Sequence, residues 1–253
     1  MSSRPGKRHE MIGLDRLVRL RWLERTAALV LAGNDPSAVK AALQEDLCGV
    51  FLSRNTEVRG SIDKTITILM KIWVRPPREL QPLQQEGLRL LSRLPREDHV
   101  AVHWGMTMAA YPFWGAVAAH VGRLLRLQGT AAASQVQRRV REQYGERETV
   151  SRRVRYVLRS YVDWGTLQET SEKGIYTSGC SLAVTSVDLI AWLAEAFLHA
   201  HPNGSVALRT VLDSTSLFPF RISYAPAEHI ADASGRIEVM RQGMDEEILC
   251  LIT

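Results

Sequence analysis

The sequence TVSRRVRYVLRSY at positions 149–161 decides the fold of the middle of this chain. Its apolar side chains recur at the spacing of one helix face, within about 100° of arc on an α-helix. These side chains are Val150, Val154, Val157, Leu158 and Tyr161. Arg152, Arg155 and Arg159 point the other way. The stretch therefore predicts an amphipathic helix with a buried apolar face and an exposed guanidinium face.

A second helix precedes this one and is joined to it by a tight turn. Val136, Val140 and Tyr144 recur every four residues, which gives that helix an apolar stripe, and Gly145 ends it. Thr149 is predicted to cap the following helix, because its hydroxyl can accept a hydrogen bond from a free backbone N–H of the first turn. The pair has the form of a helix-turn-helix.

A short hairpin follows the two helices. Gly165 ends the second helix, and residues 167–170 and 175–178 are predicted to be two strands with Gly174 in the turn between them. Helix, turn, helix, hairpin is the order of a winged helix-turn-helix. In that arrangement Lys173 lies where a wing meets the nucleic-acid backbone.

Basic charge is concentrated in the same stretch. Eight arginines lie between positions 138 and 159, against Glu142, Glu146 and Glu148, so the local net charge of +5 equals the formal net charge of the whole chain. Such a concentration predicts a positive face, and polyanions are the commonest partners of these faces. The competing interpretation is a solvated arginine face, since the chain holds 27 arginines and only 5 lysines.

The order of elements and the charge together predict that the protein binds double-stranded DNA. An arginine-bearing helix suits the major groove, where a guanidinium reaches phosphates or guanine edges. The candidate DNA-binding residues are Arg138, Arg139, Arg141, Arg152, Arg153, Arg155, Arg159 and Lys173. Two alternatives stay open: an adaptor whose arginines face acidic patches of a protein partner, and a repressor of its own locus.

Helices are predicted for the whole N-terminal half. Residues 14–31 form an amphipathic helix capped by Asp15, and Asp35 with Pro36 begins the next one. A helical register continues through residues 58–73, although residues 65–68 favour a strand by propensity. No apolar run follows the polar and basic first ten residues, so no signal peptide is predicted.

Residues 99–122 contain no lysine, arginine, aspartate or glutamate, and a run of 24 residues is long enough to cross a membrane. Histidines, glycines and Pro112 interrupt its apolarity, however. The run is therefore predicted to be a buried pair of helices that meet near Tyr111 and Pro112. We expect a cytoplasmic protein without a membrane partner.

The sequence lacks common signatures of catalysis and of metal binding. It has no GxSxG elbow, no Walker-type phosphate loop, no GxGxxG turn after a strand and no paired carboxylate cluster typical of an active site. Cys48, Cys180 and Cys250 lie far apart without a CxxC pair. His99 and His103 have the i, i+4 spacing of a metal pair, but no third ligand is evident. A structural role is predicted for them, and we expect no enzyme activity, no cofactor and no metal.

The C-terminal part is predicted to add a small α+β element. A helix capped by Ser186 and a shorter one ending at Asp213 precede an antiparallel hairpin, residues 236–241 and 247–252, around a turn at 242–245. The predicted fold is mainly α. It comprises a helical bundle over residues 1–128, a winged-helix-like DNA-binding region over 129–180, and C-terminal helices with a small antiparallel sheet over 181–253.

In several short segments the chain resembles the BrxA family of bacterial BREX phage-defence loci. The segments are Ser53-Arg54-Asn55-Thr56 with Ile62 and Ile66, Trp104 with Tyr111-Pro112-Phe113, residues 151–158 with Gly165 and Leu167, and Leu217-Phe218-Pro219. The resemblance implies a helical region beside a winged-helix-like region. It also implies a DNA-binding, non-enzymatic accessory protein that works with a methyltransferase, a phosphatase-like protein and a large ATPase of the same locus.

Overall fold

The N-terminal half is a bundle of helices, as the sequence predicts. The computed structural model describes residues 9–51, 58–243 and 246–252. The helices of this half are α1 Leu20–Leu31, α2 Pro36–Phe51, α3 Val58–Trp73, α4 Gln81–Arg93, α5 His99–Ala110 and α6 Pro112–Gln128. Residues 65–68 are helical, so the periodicity of their apolar side chains outweighs their β-propensity. Residues 53–56 lie outside the described ranges.

Short strands and further helices make up the second half. In chain order they are β1 Thr130–Ala132, α7 Ala133–Tyr144, α8 Glu148–Asp163, β2 Leu167–Glu169, β3 Ile175–Ser178, β4 Leu182–Val184, α9 Val187–Ala200, β5 Ser205–Ala207, α10 Leu208–Leu212, β6 Phe220–Ile222, α11 Ala227–Ser234, β7 Ile237–Gln242 and β8 Glu246–Leu251. The strands pair as β1-β3-β2, as a parallel pair β4-β6, and as β5-β8-β7. The mainly α fold with an antiparallel C-terminal hairpin, β7 with β8, is confirmed.

Of the four predicted helix caps, Asp35 and Ser186 lie at observed helix starts, Ser186 without a side-chain capping bond, whereas Asp15 and Thr149 do not. Asp35 caps α2 as predicted, because its Oδ1 accepts hydrogen bonds from the backbone N–H groups of Ser37 at 2.7 Å and Ala38 at 3.0 Å. The prediction of Asp15 as a cap is wrong, since α1 begins only at Leu20. The segment after Asp15 is instead bonded to α8, because the backbone N–H groups of Val18 and Leu20 donate to the side chains of Ser160 and Asp163.

The prediction for Thr149 is also wrong. The N-cap residue is Arg147, two residues before the predicted cap, in an extended conformation without a side-chain capping bond, and α8 begins at Glu148. Glu148 in the first turn provides a negative charge at the positive end of the helix dipole. This charge substitutes for the predicted hydroxyl cap.

The uncharged run of residues 99–122 forms the central layer of the fold. α5 and α6 meet at Tyr111, and α5 is buried on all sides, from Val100 to Ala110. The predicted buried helix pair is confirmed. Among the described residues no helix is both long and apolar enough to span a bilayer.

An aromatic cluster connects this central layer to α8 and to the C-terminal part. Trp104 of α5 donates its Nε1–H to the Ser216 carbonyl at 3.1 Å, and its ring meets Phe218 edge-on with 5.4 Å between centroids. Tyr161 of α8 stacks on Trp104 at 4.8 Å. Packing is therefore continuous across residues 128–129 and 180–181, and the three-part division of the chain stays a prediction.

Glu24 fastens α1 to α5 by lying between two histidines. Its Oε1 is 3.3 Å from His99 Nδ1 and 3.3 Å from His103 Nε2. Trp73 donates its Nε1–H to His103 Nδ1 at 3.0 Å. Because the indole can only donate, His103 Nδ1 must accept, and the ring proton of a neutral His103 therefore lies on Nε2, facing Glu24.

Burial and hydrogen bonding together decide the protonation of His103 and Glu24. Burial lowers the pKa of His103, whose side chain is completely buried, although Glu24 opposes the shift. For Glu24, burial favours the neutral form, but the ring N–H groups of His103 and His99 outweigh it, and the pKa of the carboxyl is lowered. A neutral His103 and an ionised Glu24 are thus the folded-state forms near neutral pH.

We expect the free energy of unfolding to fall as the pH is lowered from 7 to 5. His103 in the unfolded chain takes up a proton near its ordinary pKa of about 6.5, whereas folded His103 does so only at lower pH. The unfolded state then binds more protons, at a cost of at most about 1.4 kcal/mol per pH unit for this group. Urea unfolding curves recorded across this pH range measure the slope of the unfolding free energy against pH.

The variant His103→Gln keeps an acceptor for Trp73 and a donor for Glu24 but does not titrate. It should show a smaller pH slope than the wild type. His229→Gln, at an exposed position, is the matched control and should keep the wild-type slope. Equal slopes in all three proteins would contradict the assignment.

We also expect Gly122→Ala to destabilise the fold. A Cβ at this position would overlap the Thr215 carbonyl oxygen and lie 2.7 Å from Phe218 Cβ, so α6 would have to move. Overpacking of this kind costs about 1–3 kcal/mol or more.

Gly60→Ala in α3 is the matched control, because a Cβ there meets nothing within 4 Å. It should be neutral or stabilise by up to about 1 kcal/mol, since alanine favours a helix over glycine. Denaturant melts of both variants decide the comparison, and equal stability of the two would be inconsistent with the close packing of α6.

Candidate nucleic-acid interface

Residues 112–178 have the connectivity of a winged helix-turn-helix. α6 is followed by β1, α7, α8 and the hairpin β2-β3, and the strands lie in the order β1-β3-β2. Thr177 of β3 lies opposite Thr130 on one side and opposite Gln168 on the other. The sequence predicted the hairpin and both helices but not β1, because three residues are too few to display a period of two.

The predicted amphipathic character of α8 is confirmed. Its five apolar positions, predicted to face inward, are all buried: Val150, Val154, Val157, Leu158 and Tyr161. Arg152, Arg155 and Arg159 are exposed on the opposite side, and Arg153 is half-buried at its edge. We call Arg152, Arg155 and Arg159 the α8 stripe.

The arginines of α7 are paired with carboxylates of their own neighbourhood. Arg138 Nε and Arg139 Nη1 lie 3.9 Å and 3.1 Å from the Glu142 carboxylate. Arg141 Nε lies 3.4 Å from Glu146 Oε2. Exposed pairs of this kind contribute little stability, but they neutralise most of the positive charge of α7.

The α8 arginines keep more of their charge. Arg155 Nη2 is 3.7 Å from Glu148 Oε1, a carboxylate that is itself 86% exposed. Arg152, Arg153 and Arg159 form no ion pair with any carboxylate in the part of the chain that the structure describes. Among the arginines of α7 and α8, those without a described carboxylate partner therefore lie on α8.

The wing is a tight loop between β2 and β3. The backbone N–H of Glu172 donates to Thr170 Oγ1 at 3.2 Å, and that of Ile175 donates to the Glu172 carbonyl at 3.1 Å. Gly174 adopts a φ of 81°, which favours glycine. Lys173 is exposed at the tip, directly after the exposed Glu172. The two charges oppose each other, so the tip has no net charge of its own.

The hairpin is close to the end of the α8 stripe. Burial and the nearby Glu169 raise the pKa of the Tyr176 hydroxyl on β3, and Arg159 acts in the opposite direction. Arg159 thus lies within electrostatic reach of the sheet. The α7 arginines, by contrast, are occupied by Glu142 and Glu146.

The last turn of α8 is held by contacts that sequence reasoning missed. The backbone N–H of Val18 donates to Ser160 Oγ at 3.0 Å, and Trp164 Nε1–H donates to the Val18 carbonyl at 2.9 Å. Asp163 accepts from Arg19 Nη1 at 2.7 Å and from the Leu20 N–H at 3.1 Å. The partners are more than 140 residues apart, so no local pattern could reveal them.

The histidines and cysteines of the described residues are the other candidates for a functional site. No three His, Cys, Asp or Glu side chains among residues 9–51, 58–243 and 246–252 are grouped so that they could hold a metal ion. His103 Nε2 faces Glu24 with its ring proton, as the bond from Trp73 requires, and is not an available ligand. Cys48 and Cys180 are exposed and Cys250 is half-buried, all as free thiols.

No protein-family model matches this chain, and neither a curated protein nor a solved structure shows significant similarity to it.

Proposed function

We propose that this protein is a non-enzymatic, cytoplasmic DNA-binding protein that contacts double-stranded DNA through the α8 stripe. One observation carries the proposal. The exposed face of the second helix of a winged helix-turn-helix holds guanidinium groups that few carboxylates neutralise.

The geometry of the stripe suits a duplex. Arg152 and Arg159 are seven residues apart, which is about 10 Å along a helix, and the major groove is about 12 Å wide. A helix seated there can direct one guanidinium toward base edges and others toward phosphates. Phosphate contacts carry no sequence information, so binding is tolerant of sequence and strongly dependent on salt.

The candidate DNA-binding residues should differ in how much each contributes to DNA affinity. Arg152, Arg153, Arg155 and Arg159 are the primary contacts. Arg138, Arg139 and Arg141 must first release Glu142 and Glu146, and Lys173 is offset by Glu172. These four residues therefore contribute less affinity than those on α8.

On the basis of the resemblance to BREX accessory proteins, we propose that this protein takes part in bacterial anti-phage defence. The proposed protein partners are then a methyltransferase, a phosphatase-like protein and an ATPase of the same locus. Neighbouring genes of these classes would support this setting, and an isolated position in the genome would argue against it.

A gel-shift series in increasing salt tests the DNA proposal. We expect the affinity of the wild type to fall steeply with salt for every duplex sequence. Absence of a shift even at low salt would favour the protein adaptor instead. Discrete protection of one promoter in footprinting, in place of diffuse binding, would favour a repressor of its own locus.

Replacing Arg152, Arg155 and Arg159 with alanine should weaken DNA binding at all sequences. The slope of log affinity against log salt should become shallower by about 0.9 for each phosphate that the variant no longer binds. Stability should change by less than about 1 kcal/mol per site, because the side chains are exposed. The matched control replaces Arg78, Arg93 and Arg96, which are exposed outside residues 112–178 and carry the same charge.

Val154→Ala and Leu158→Ala test the opposite face of α8. Each removes buried side-chain atoms and should cost roughly 1–4 kcal/mol, so affinity should fall only in proportion to the decrease in folded protein. Thermal melts read beside gel shifts separate the two sets. Early melting of the arginine variant, with normal DNA binding by its folded fraction, would show that the α8 stripe is not the interface.

A further inference from the structure

The α8 stripe continues toward the N-terminal segment of the chain. Asp163 follows Arg152 by eleven residues, which at about 100° per residue brings it back to within about 20° of the same line on the helix. Taken alone, α8 would therefore end its basic line with a carboxylate. A carboxylate at this place would repel a phosphate backbone.

Arg19 neutralises the negative charge of Asp163 at the end of α8. Its Nη1 pairs with Asp163 Oδ1 at 2.7 Å, and the other carboxylate oxygen accepts from the Leu20 backbone N–H. Both oxygens of Asp163 are thus engaged by the start of α1. The charge beyond the last turn of α8 is then decided by the residues that follow Arg19.

Arg21 supplies a positive charge at this position. It is exposed in the first turn of α1 and lines one depression with Arg19, Glu24 and Asp163. The two acids that line this depression with Arg21 are occupied, Asp163 by Arg19 and Glu24 by His99 and His103. Among the described residues Arg21 forms no ion pair.

Local stability does not explain an arginine at this position. α1 has no acidic residue in its first turn, and a cation near the N-terminus of a helix is opposed by the helix dipole. Arg25, one turn later on the same helix, has an evident structural partner in Asp46 at 2.8 Å. The two arginines of α1 therefore differ in whether their charge is already satisfied.

We propose that Arg21 is a second point of contact with the DNA backbone, beyond the end of the α8 stripe. The line from Arg152 to Asp163 is about 16 Å long, which exceeds the roughly 12 Å width of the major groove. A helix whose axis crosses the groove therefore extends past its edge and reaches the flanking phosphates at its C-terminal end. Arg21 lies there, with Arg19 shielding Asp163. The inference rests on the proposed DNA binding by α8.

Arg21→Ala and Arg25→Ala in the full-length protein form a matched pair for the salt series. Both remove one positive charge from an exposed position of α1. Arg21→Ala should bind every duplex more weakly and make the slope of log affinity against log salt shallower by about 0.9, the value for one phosphate contact. Arg21→Glu should weaken binding further. Arg25→Ala should keep the wild-type slope, and thermal melts check that all variants are folded.

The outcomes separate this contact from the α8 interface. Wild-type slopes for Arg21→Ala and Arg21→Glu, beside a shallower slope for the variant of Arg152, Arg155 and Arg159, would overturn the Arg21 contact and leave the α8 interface in place. Equally weakened binding by Arg21→Ala and Arg25→Ala would also overturn it, because this result would indicate an effect of overall charge. Absence of salt-dependent binding by the wild type would remove both proposals.

Discussion

Packing around Tyr161 is the constraint on which the rest of the structure depends. Its ring stacks on Trp104 and meets Trp114 edge-on at 4.6 Å, while its hydroxyl donates to the Trp114 carbonyl at 2.7 Å. α5, α6 and α8 thus share one buried aromatic contact, and each such pair contributes about 0.5–1.5 kcal/mol beyond its buried area. Burial raises the pKa of the Tyr161 hydroxyl far above its ordinary value, so the hydroxyl remains a neutral donor.

This anchor determines the direction of the arginines. Tyr161 follows Arg152 by nine residues, or about 180° around the helix, so holding the tyrosine in the core turns Arg152 outward. The position of the last turn is fixed separately, because Ser160, Asp163 and Trp164 all bind the segment that leads into α1. A rotation of α8 that buried the α8 stripe would break both sets of contacts. The basic face is therefore a consequence of the core.

Features that depend on local periodicity and turn chemistry could be predicted from the sequence. The two faces of α8, the hairpin around Gly174 and the cap at Asp35 all belong to this class, since each is decided within about ten residues. Features that depend on distant partners could not. The Leu20 N–H is satisfied by Asp163 and not by Asp15, and the pairing of β4 with β6 joins segments 38 positions apart in register. The i, i+4 spacing of His99 and His103 was visible in the sequence. No local pattern indicated that Glu24 is their common partner.

Composition alone treats the arginines of α7 and α8 as equivalent, but spacing distinguishes them. Glu142 follows Arg138 and Arg139 by four and three residues, the distances at which side chains meet on a helix. Apart from Glu148, which precedes Arg155 by seven residues, and Asp163, which Arg19 occupies, α8 carries no acid. The charge that remains for a polyanion therefore depends less on the number of arginines than on where the acids lie. For the same reason Arg21 keeps its positive charge, because the acids that share its depression, Glu24 and Asp163, are already paired.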